Sequence, residues 1–225
     1  MLPIGTGFGE SYVPIGNIVN TSRIMASKQT PKTPVTEPPR LRAADRIRQT
    51  AQELFYREGI RAVGVDEIVT RAGVTKPSLY RSYASKDELA AEYLRDYEDA
   101  FWERFDSEQD QHPDDARAQL LGYMQGLAQR ASKRDYRGCG LTNAAIEYPQ
   151  PDHPARKVAL QHKRKLRARL VEMCKAMQAR QPELLADGLL LLLEGTYASG
   201  QTFGDHGPAA TLVEVAQTLI RSQVD

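Results

Sequence analysis

From about residue 42 to the end, apolar residues recur every three or four positions, and no alternating stretch persists. That period predicts a chain of helices without strands. A first helix over 42–58 places Ala43, Ile47, Ala51, Leu54 and Phe55 on one face and ends at Gly59. A second, over about 65–72, turns Val65, Ile68, Val69 and Ala72 inward. Gly73 and Val74 form a turn. A short third helix follows over 76–82, with Thr75 as its N-cap and Pro77 in a first turn where no intrahelical N–H partner is lost. Ser85 then caps a fourth helix, and Glu88 three residues on completes a capping box. Leu89, Tyr93, Tyr97, Phe101 and Phe105 stripe this helix at spacings of four.

Proline punctuates the second half. Pro113 is expected to open a helix over 114–133, Pro154 one reaching about 179, Pro182 one over 182–202, and Pro208 the last, over 208–222. A connector, DYRGCG, leads to a short helix over 141–148. The long helix from Pro154 is striped by Ala155, Ala159, His162, Leu166, Leu170, Cys174 and Met177. Residues 1–40 hold six prolines and no apolar period, so they are expected to be disordered. Met25 opens MASKQTPKTPVTEPPR, which looks more like a natural start than the residues before it, so 1–24 are expected to be an over-extended gene start or to be dispensable.

Charge changes this picture more than composition does. The net charge of +1 and mean hydropathy of −0.51 describe a polar-surfaced protein with no overall bias. Across 40–86, however, ten Lys/Arg face five acids, and across 87–111 two face ten. A basic segment followed by an acidic one can dock one face on phosphates and hold the rest away. The longest apolar run, Leu189 to Leu193, is far too short to span a membrane, and the N-terminus has no signal-peptide pattern. Cys139 and Cys174 lack metal-site spacing and suit a reducing cytoplasm. No metal or cofactor is expected. GTGFGE near the N-terminus only superficially resembles a dinucleotide loop, since its final spacing is broken and no strand precedes it.

Helices 1 to 3 with their glycine turn have the layout of a helix-turn-helix, whose second helix enters the major groove while the first braces it. Leu79 is expected to pack inward, leaving Lys76, Pro77, Ser78, Tyr80, Arg81 and Tyr83 toward the outside. Lys76 suits guanine acceptors, Ser78 either base partner, and the Pro77 ring a thymine methyl. Tyr80 and Tyr83 suit phosphate and sugar, Lys86 at the start of helix 4 another phosphate, and Arg71 groove or backbone. The plainer reading is a surface helix start with Tyr80 packed on a neighbour.

RIRQTAQELFYREGIRAVGVDEIVTRAGVTKPSLYRSYASKDELAAEYL resembles the N-terminal domain of the tetracycline-repressor family throughout its length. The resemblance implies a homodimeric all-helical regulator with about nine helices, in which a ligand entering the larger C-terminal part changes the spacing of two DNA heads. It assigns base contacts to Lys76, Pro77 and Ser78, and backbone contacts to Tyr80, Tyr83 and Lys86. One departure stands out: the family usually has Thr or Ser just before helix 2, and this chain has Gly64.

Residues 182–222 resemble the last two family helices, which build a dimer interface. Small residues Gly195, Ala198, Ser199 and Gly200 beside Leu184, Leu185, Leu189, Leu192 and Leu193 suit close helix approach. Leu212, Val213, Ala216, Leu219 and Ile220 extend the surface, and an ordinary intrachain core is the alternative. Candidate ligand-lining residues are Tyr97, Phe101, Tyr123, Leu127, Cys139, His162, Leu166 and Cys174, each of which also fits a plain core. RGCGLTNAAIEYPQPDHPAR is similar to one family branch, some of whose members sense electrophiles or oxidants through such a cysteine; Cys139 at a helix start fits that role, as it fits an inert thiol. The run HKRKLRAR over 162–169 is expected to be a solvated face with salt bridges to the acidic helix 4.

The sequence therefore predicts an all-α protein: a disordered extension over 1–40, a three-helix DNA-binding head over 41–88, and a ligand-binding and dimerisation part over 89–225. The expected partners are a palindromic DNA duplex, a second copy of the chain and an unknown small molecule or electrophile, and the expected location is the cytoplasm. The rival is a helical scaffold protein with a degenerate head.

Overall fold

The computed structural model describes residues 41–224; the expectations for residues 1–40 lie outside them. Among the described residues the backbone forms α-helices and 3₁₀ turns and no strand. The order is α1 (Ala43–Glu58), α2 (Val65–Ala72), α3 (Lys76–Ser82), α4 (Lys86–Gln111), α5 (Ala116–Ala131), α6 (Gly140–Glu147), α7 (Pro154–Ala176), α8 (Pro182–Phe203) and α9 (Leu212–Arg221). Among the described residues no helix is long and apolar enough to cross a membrane.

Local signals set the head. Ile47, Ala51, Leu54 and Phe55 bury one face of α1, and Gly59 ends it at φ 91°. α2 stops at Gly73, which takes the left-handed conformation (φ 60°, ψ 42°). Its N–H donates to the Thr70 carbonyl, and that of Val74 donates to Val69. This paired closure satisfies the orphan carbonyls of α2 and reverses the chain into α3. The Ser85 hydroxyl accepts from Glu88 N at 3.1 Å, so the expected cap of α4 is made. Thr75 holds the N-cap position of α3 without capping it through its side chain; its Oγ1 lies 3.1 Å from Ser78 Oγ instead.

Two of the four expected proline starts are displaced. Asp115, not Pro113, caps α5, accepting from Ala118 N at 2.8 Å, because its side chain supplies the acceptor that an orphan N–H needs. Pro208 opens a 3₁₀ turn (Pro208–Thr211), and α9 begins only at Leu212. α7 stops at Ala176, short of 179, where Gln178 adopts φ 58° and Ala179 N reaches back to the Cys174 carbonyl.

One apolar core runs through the described residues, from Ile47, Leu54, Ile68 and Leu79 through Leu89 and Leu94 to Phe101, Tyr123, Leu166 and Leu193. α4 contributes to both ends of it, packing on α1 and on α5, α6 and α7. The basic run on α7 is divided. His162 and Leu166 are buried. Lys163 pairs with Glu194 (2.6 Å) and Arg167 with Asp187 (2.5 Å), both on α8. Toward the acidic α4, the Lys/Arg–carboxylate pair of this run among the described residues is Arg169 with Asp106 at 3.6 Å; Lys165 sits over the Trp102 ring at 4.3 Å.

Candidate nucleic-acid interface

Leu79 is fully buried, and that fixes which way α3 faces. Lys76, Pro77, Tyr80 and Arg81 are exposed, with Ser78 half-buried between them. Tyr80 is 51% exposed, a large apolar ring left in water on a helix with a buried underside. These side chains share the outward first turns of α3, where Lys76, Ser78 and Tyr80 can donate hydrogen bonds.

Two of the residues assigned to backbone contact sit differently. Lys86 donates from Nζ to the carbonyls of Ile60 and Val63, each at 2.8 Å. It therefore staples the α1–α2 loop to the start of α4 and has one N–H left to donate. Tyr83 is half-buried, and burial pushes its phenol above the ordinary tyrosine value.

The cations near the turn are paired with acids, a feature that charge counting alone did not reveal. Lys76 Nζ lies 2.7 Å from Asp66 Oδ1. Arg71 lies 2.8 Å from Glu67 and 3.6 Å from Glu58. Sequence reading overlooked these acids because it summed charge over the segment. Spacing does carry the i,i+4 pair of Glu67 and Arg71; the Asp66–Lys76 contact depends on the turn geometry. At Gly64 a Cβ would meet no atom within 4 Å, so the missing hydroxyl is a matter of residue choice and not of space.

The head is tied to the helices behind it at several points. Arg48 forms a bidentate pair with Asp96 on α4, and Gln52 donates to the same carboxylate at 3.0 Å. Arg61 donates from its backbone N to Glu147 Oε2 at 2.7 Å, at the end of α6. Arg137 N donates to the Tyr56 hydroxyl at 3.1 Å, which in turn reaches the Gly138 carbonyl at 3.4 Å.

Of the candidate ligand-lining residues, Tyr97 is half-buried and Phe101, Tyr123, Leu127, Cys139, His162, Leu166 and Cys174 are buried. Phe101 stands at the centre of an aromatic cluster, its ring 4.6 Å from that of His162 and 5.4 Å from that of Tyr123. Cys139 precedes α6, with Lys163 Nζ 3.7 Å from its sulfur. At Cys174 burial alone pushes the thiol up to about 11. The Tyr93 hydroxyl, like both His162 nitrogens, is buried without a hydrogen-bond partner among the described residues. Two open surface grooves, one between α1 and α4 and one where α5 and α7 meet, are lined by other residues.

Residues 47–93 match the family model described as bacterial regulatory proteins, tetR family. Over 49 residues the chain is 47% identical to the HTH-type transcriptional activator FasR of Mycolicibacterium smegmatis, covering 22% of each chain. Over 61 residues it is 34% identical to the repressor KstR2 of the same organism, covering 27% of this chain and 30% of that one. The chain thus spans less than a third of the length of these curated relatives. Similarity of fold extends much further. A TetR-family transcriptional regulator from Streptomyces coelicolor superposes with a TM-score of 0.77 at 27% identity, covering 81% of this chain and 96% of that one. A TetR-type structure from Streptomyces avermitilis superposes with a TM-score of 0.72 at 29% identity, covering 81% and 98%.

Proposed function

We propose that the chain, whose residues 47–93 match the tetR family of bacterial regulatory proteins and whose fold matches regulators of that family, is a homodimeric repressor which a small molecule or electrophile releases from a palindromic operator. The observation that carries the DNA-binding part is the outward first turn of α3, with Lys76, Pro77, Ser78 and Tyr80 around a buried Leu79. The head occupies 41–88, and residues 89–225 dimerise and bind the effector. The family is one of regulators and not of enzymes, so the mechanism is a binding equilibrium. The effector must prefer the arrangement that does not fit DNA, and its differential affinity sets the response.

Fluorescence anisotropy with the duplex upstream of the chain's own gene tests this directly. Changing Lys76→Ala together with Tyr80→Ala should weaken binding about a hundredfold, two lost contacts of about 1–3 kcal/mol each. Helical circular dichroism should not change, because both side chains are exposed. A double variant that binds as tightly as the parent would favour the scaffold alternative.

Cys139 is the proposed electrophile-sensing residue. The residue is 1% exposed, with Lys163 beside its sulfur, so attack requires a local opening of the connector. A Cys139→Ser protein should bind the duplex normally yet stay bound when a maleimide is added, whereas the parent lets go. Equal release of both proteins would assign effector sensing elsewhere in the body.

A further inference from the structure

We propose that Asp66 is a specificity-determining residue: by holding Lys76, it weakens binding to random DNA more than binding to the operator. The inference rests on the DNA-binding reading above. Asp66 stands in the first turn of α2 and Lys76 at the first position of α3, so their contact bridges the two arms of the helix-turn-helix. Both side chains are largely in water, 80% exposed for Asp66 and 52% for Lys76. An exposed pair of this kind contributes little to folding. Its larger consequence falls on what the surface binds.

On a random duplex the only acceptors offered everywhere are phosphates. Lys76 can leave Asp66 for a phosphate, which strands a carboxylate beside a polyanion. It can also stay with Asp66, and then it neutralises no phosphate and releases no counterion. Either way non-specific binding is weakened. An operator with a guanine under the first turn of α3 offers O6 and N7 in the groove. An ammonium has three N–H groups and no geometric fork, so Lys76 can donate to guanine while keeping Asp66 as a further acceptor. The pair is compatible with binding only where base acceptors are in reach.

Arg71 repeats the arrangement behind the turn, shared between Glu67 and Glu58. Arg81, farther along α3, has no carboxylate within 4.0 Å among the described residues, so pairing is selective and not general to the head. The plainer role for Asp66 is to complement the α2 dipole, as an acid in a first turn does. That role affects folding and leaves the ratio of the two affinities unchanged.

The test compares the upstream duplex with a shuffled duplex of equal length, in buffers spanning a range of salt. If the parent fails to distinguish the two duplexes, the DNA-binding reading itself fails, whatever Asp66 does. Given discrimination by the parent, Asp66→Asn should tighten binding to the shuffled duplex about tenfold and to the operator less than about twofold. The salt slope on the shuffled duplex should steepen by about one. Asp66→Glu, which keeps a carboxylate in reach, should retain the parent ratio. In a Lys76→Met background Asp66→Asn should shift both duplexes equally, since the residue through which Asp66 acts is gone. Should the Asn variant unfold, Asp66→Ser, which keeps a polar first turn, gives the same comparison. Equal tightening on both duplexes in the Lys76 protein, or an unchanged or increased operator preference, would overturn the proposal.

Discussion

Replacing Leu191 by Glu will leave the chain folded but monomeric, and will weaken its hold on a duplex bearing two half-sites by about a hundredfold or more. The expectation comes from how α8 divides its apolar residues. Leu185, Ala186, Leu189, Leu193, Tyr197 and Gly200 are buried within the chain. On the opposite side Leu191 is 72% exposed and Leu184 59%, and on α9 Val215 is 44% exposed. Between them Gly195 has open space where a Cβ would stand, and Ala198 is exposed. Scattered exposed leucines are ordinary, but an apolar strip flanked by small residues on adjoining helices suits a partner surface. In a two-fold interface each residue counts twice. Losing two leucine burials of about 1.5–3 kcal/mol each, and placing two carboxylates there, disfavours the dimer by at least about 4 kcal/mol. Light scattering at micromolar concentration should report half the parent mass, with helical circular dichroism retained and an unfolding midpoint that no longer rises with protein concentration. A Leu191→Glu protein that remains dimeric would place the interface elsewhere.

The same helix shows how far the sequence could be read. Leu184, Leu185, Leu189, Leu192 and Leu193 all present themselves as candidate interface, because Leu184 and Leu185 with the leucine run over 189–193 cover every side of a helix and no period survives. Packing against α7 and α9 separates them, and Leu185, Leu189 and Leu193 go inward along with Gly200, Leu212, Ala216 and Ile220. The head was far more legible. Its determinants are local: a glycine where the backbone must turn left-handed, a serine where an N–H lacks a partner, and an apolar residue every third or fourth position. Pro113 and Pro208 misled because proline at a helix start is permitted without being required, and an aspartate or a 3₁₀ turn can take over the boundary. What local patterns could not convey was pairing across space. Asp66 with Lys76, Lys86 with two loop carbonyls and Lys163 with Cys139 and Glu194 each join residues that only the folded backbone brings together.

Lowering the pH from 7 to 5 should cost this protein about 2 kcal/mol of stability through His162 alone. The ring is fully buried on α7, against Phe101 at 4.6 Å and Trp102 at 5.7 Å. Burial, with Lys163 and Lys165 nearby, pushes its pKa down to about 3 from an ordinary 6.5. Glu98 Oε1, 3.5 Å from Nδ1, is the one carboxylate placed to oppose this, and that oxygen already accepts from Trp102 Nε1 at 3.2 Å. Because the folded pKa is depressed, the unfolded chain takes up a proton below about 6.5 that the folded chain refuses, so stability falls with pH across the window down to about 3. His162→Leu, of similar volume, should remove that share of the pH dependence and leave the share due to carboxylates. It should also raise stability at pH 7, since neither buried ring nitrogen has a partner whose loss would be felt. Urea unfolding of both proteins at fixed concentration, at pH 7 and pH 5, measures the difference. Identical pH dependence in parent and variant would mean that the ring is solvated or partnered in solution. A parent-specific slope would leave His162 as the candidate lining residue with the most to gain from a ligand that brings its own hydrogen bonds. A ligand that presents an anion to the ring should flatten the slope, because it raises the folded pKa toward that of the unfolded chain, whereas one that bonds only the neutral imidazole should leave the slope unchanged.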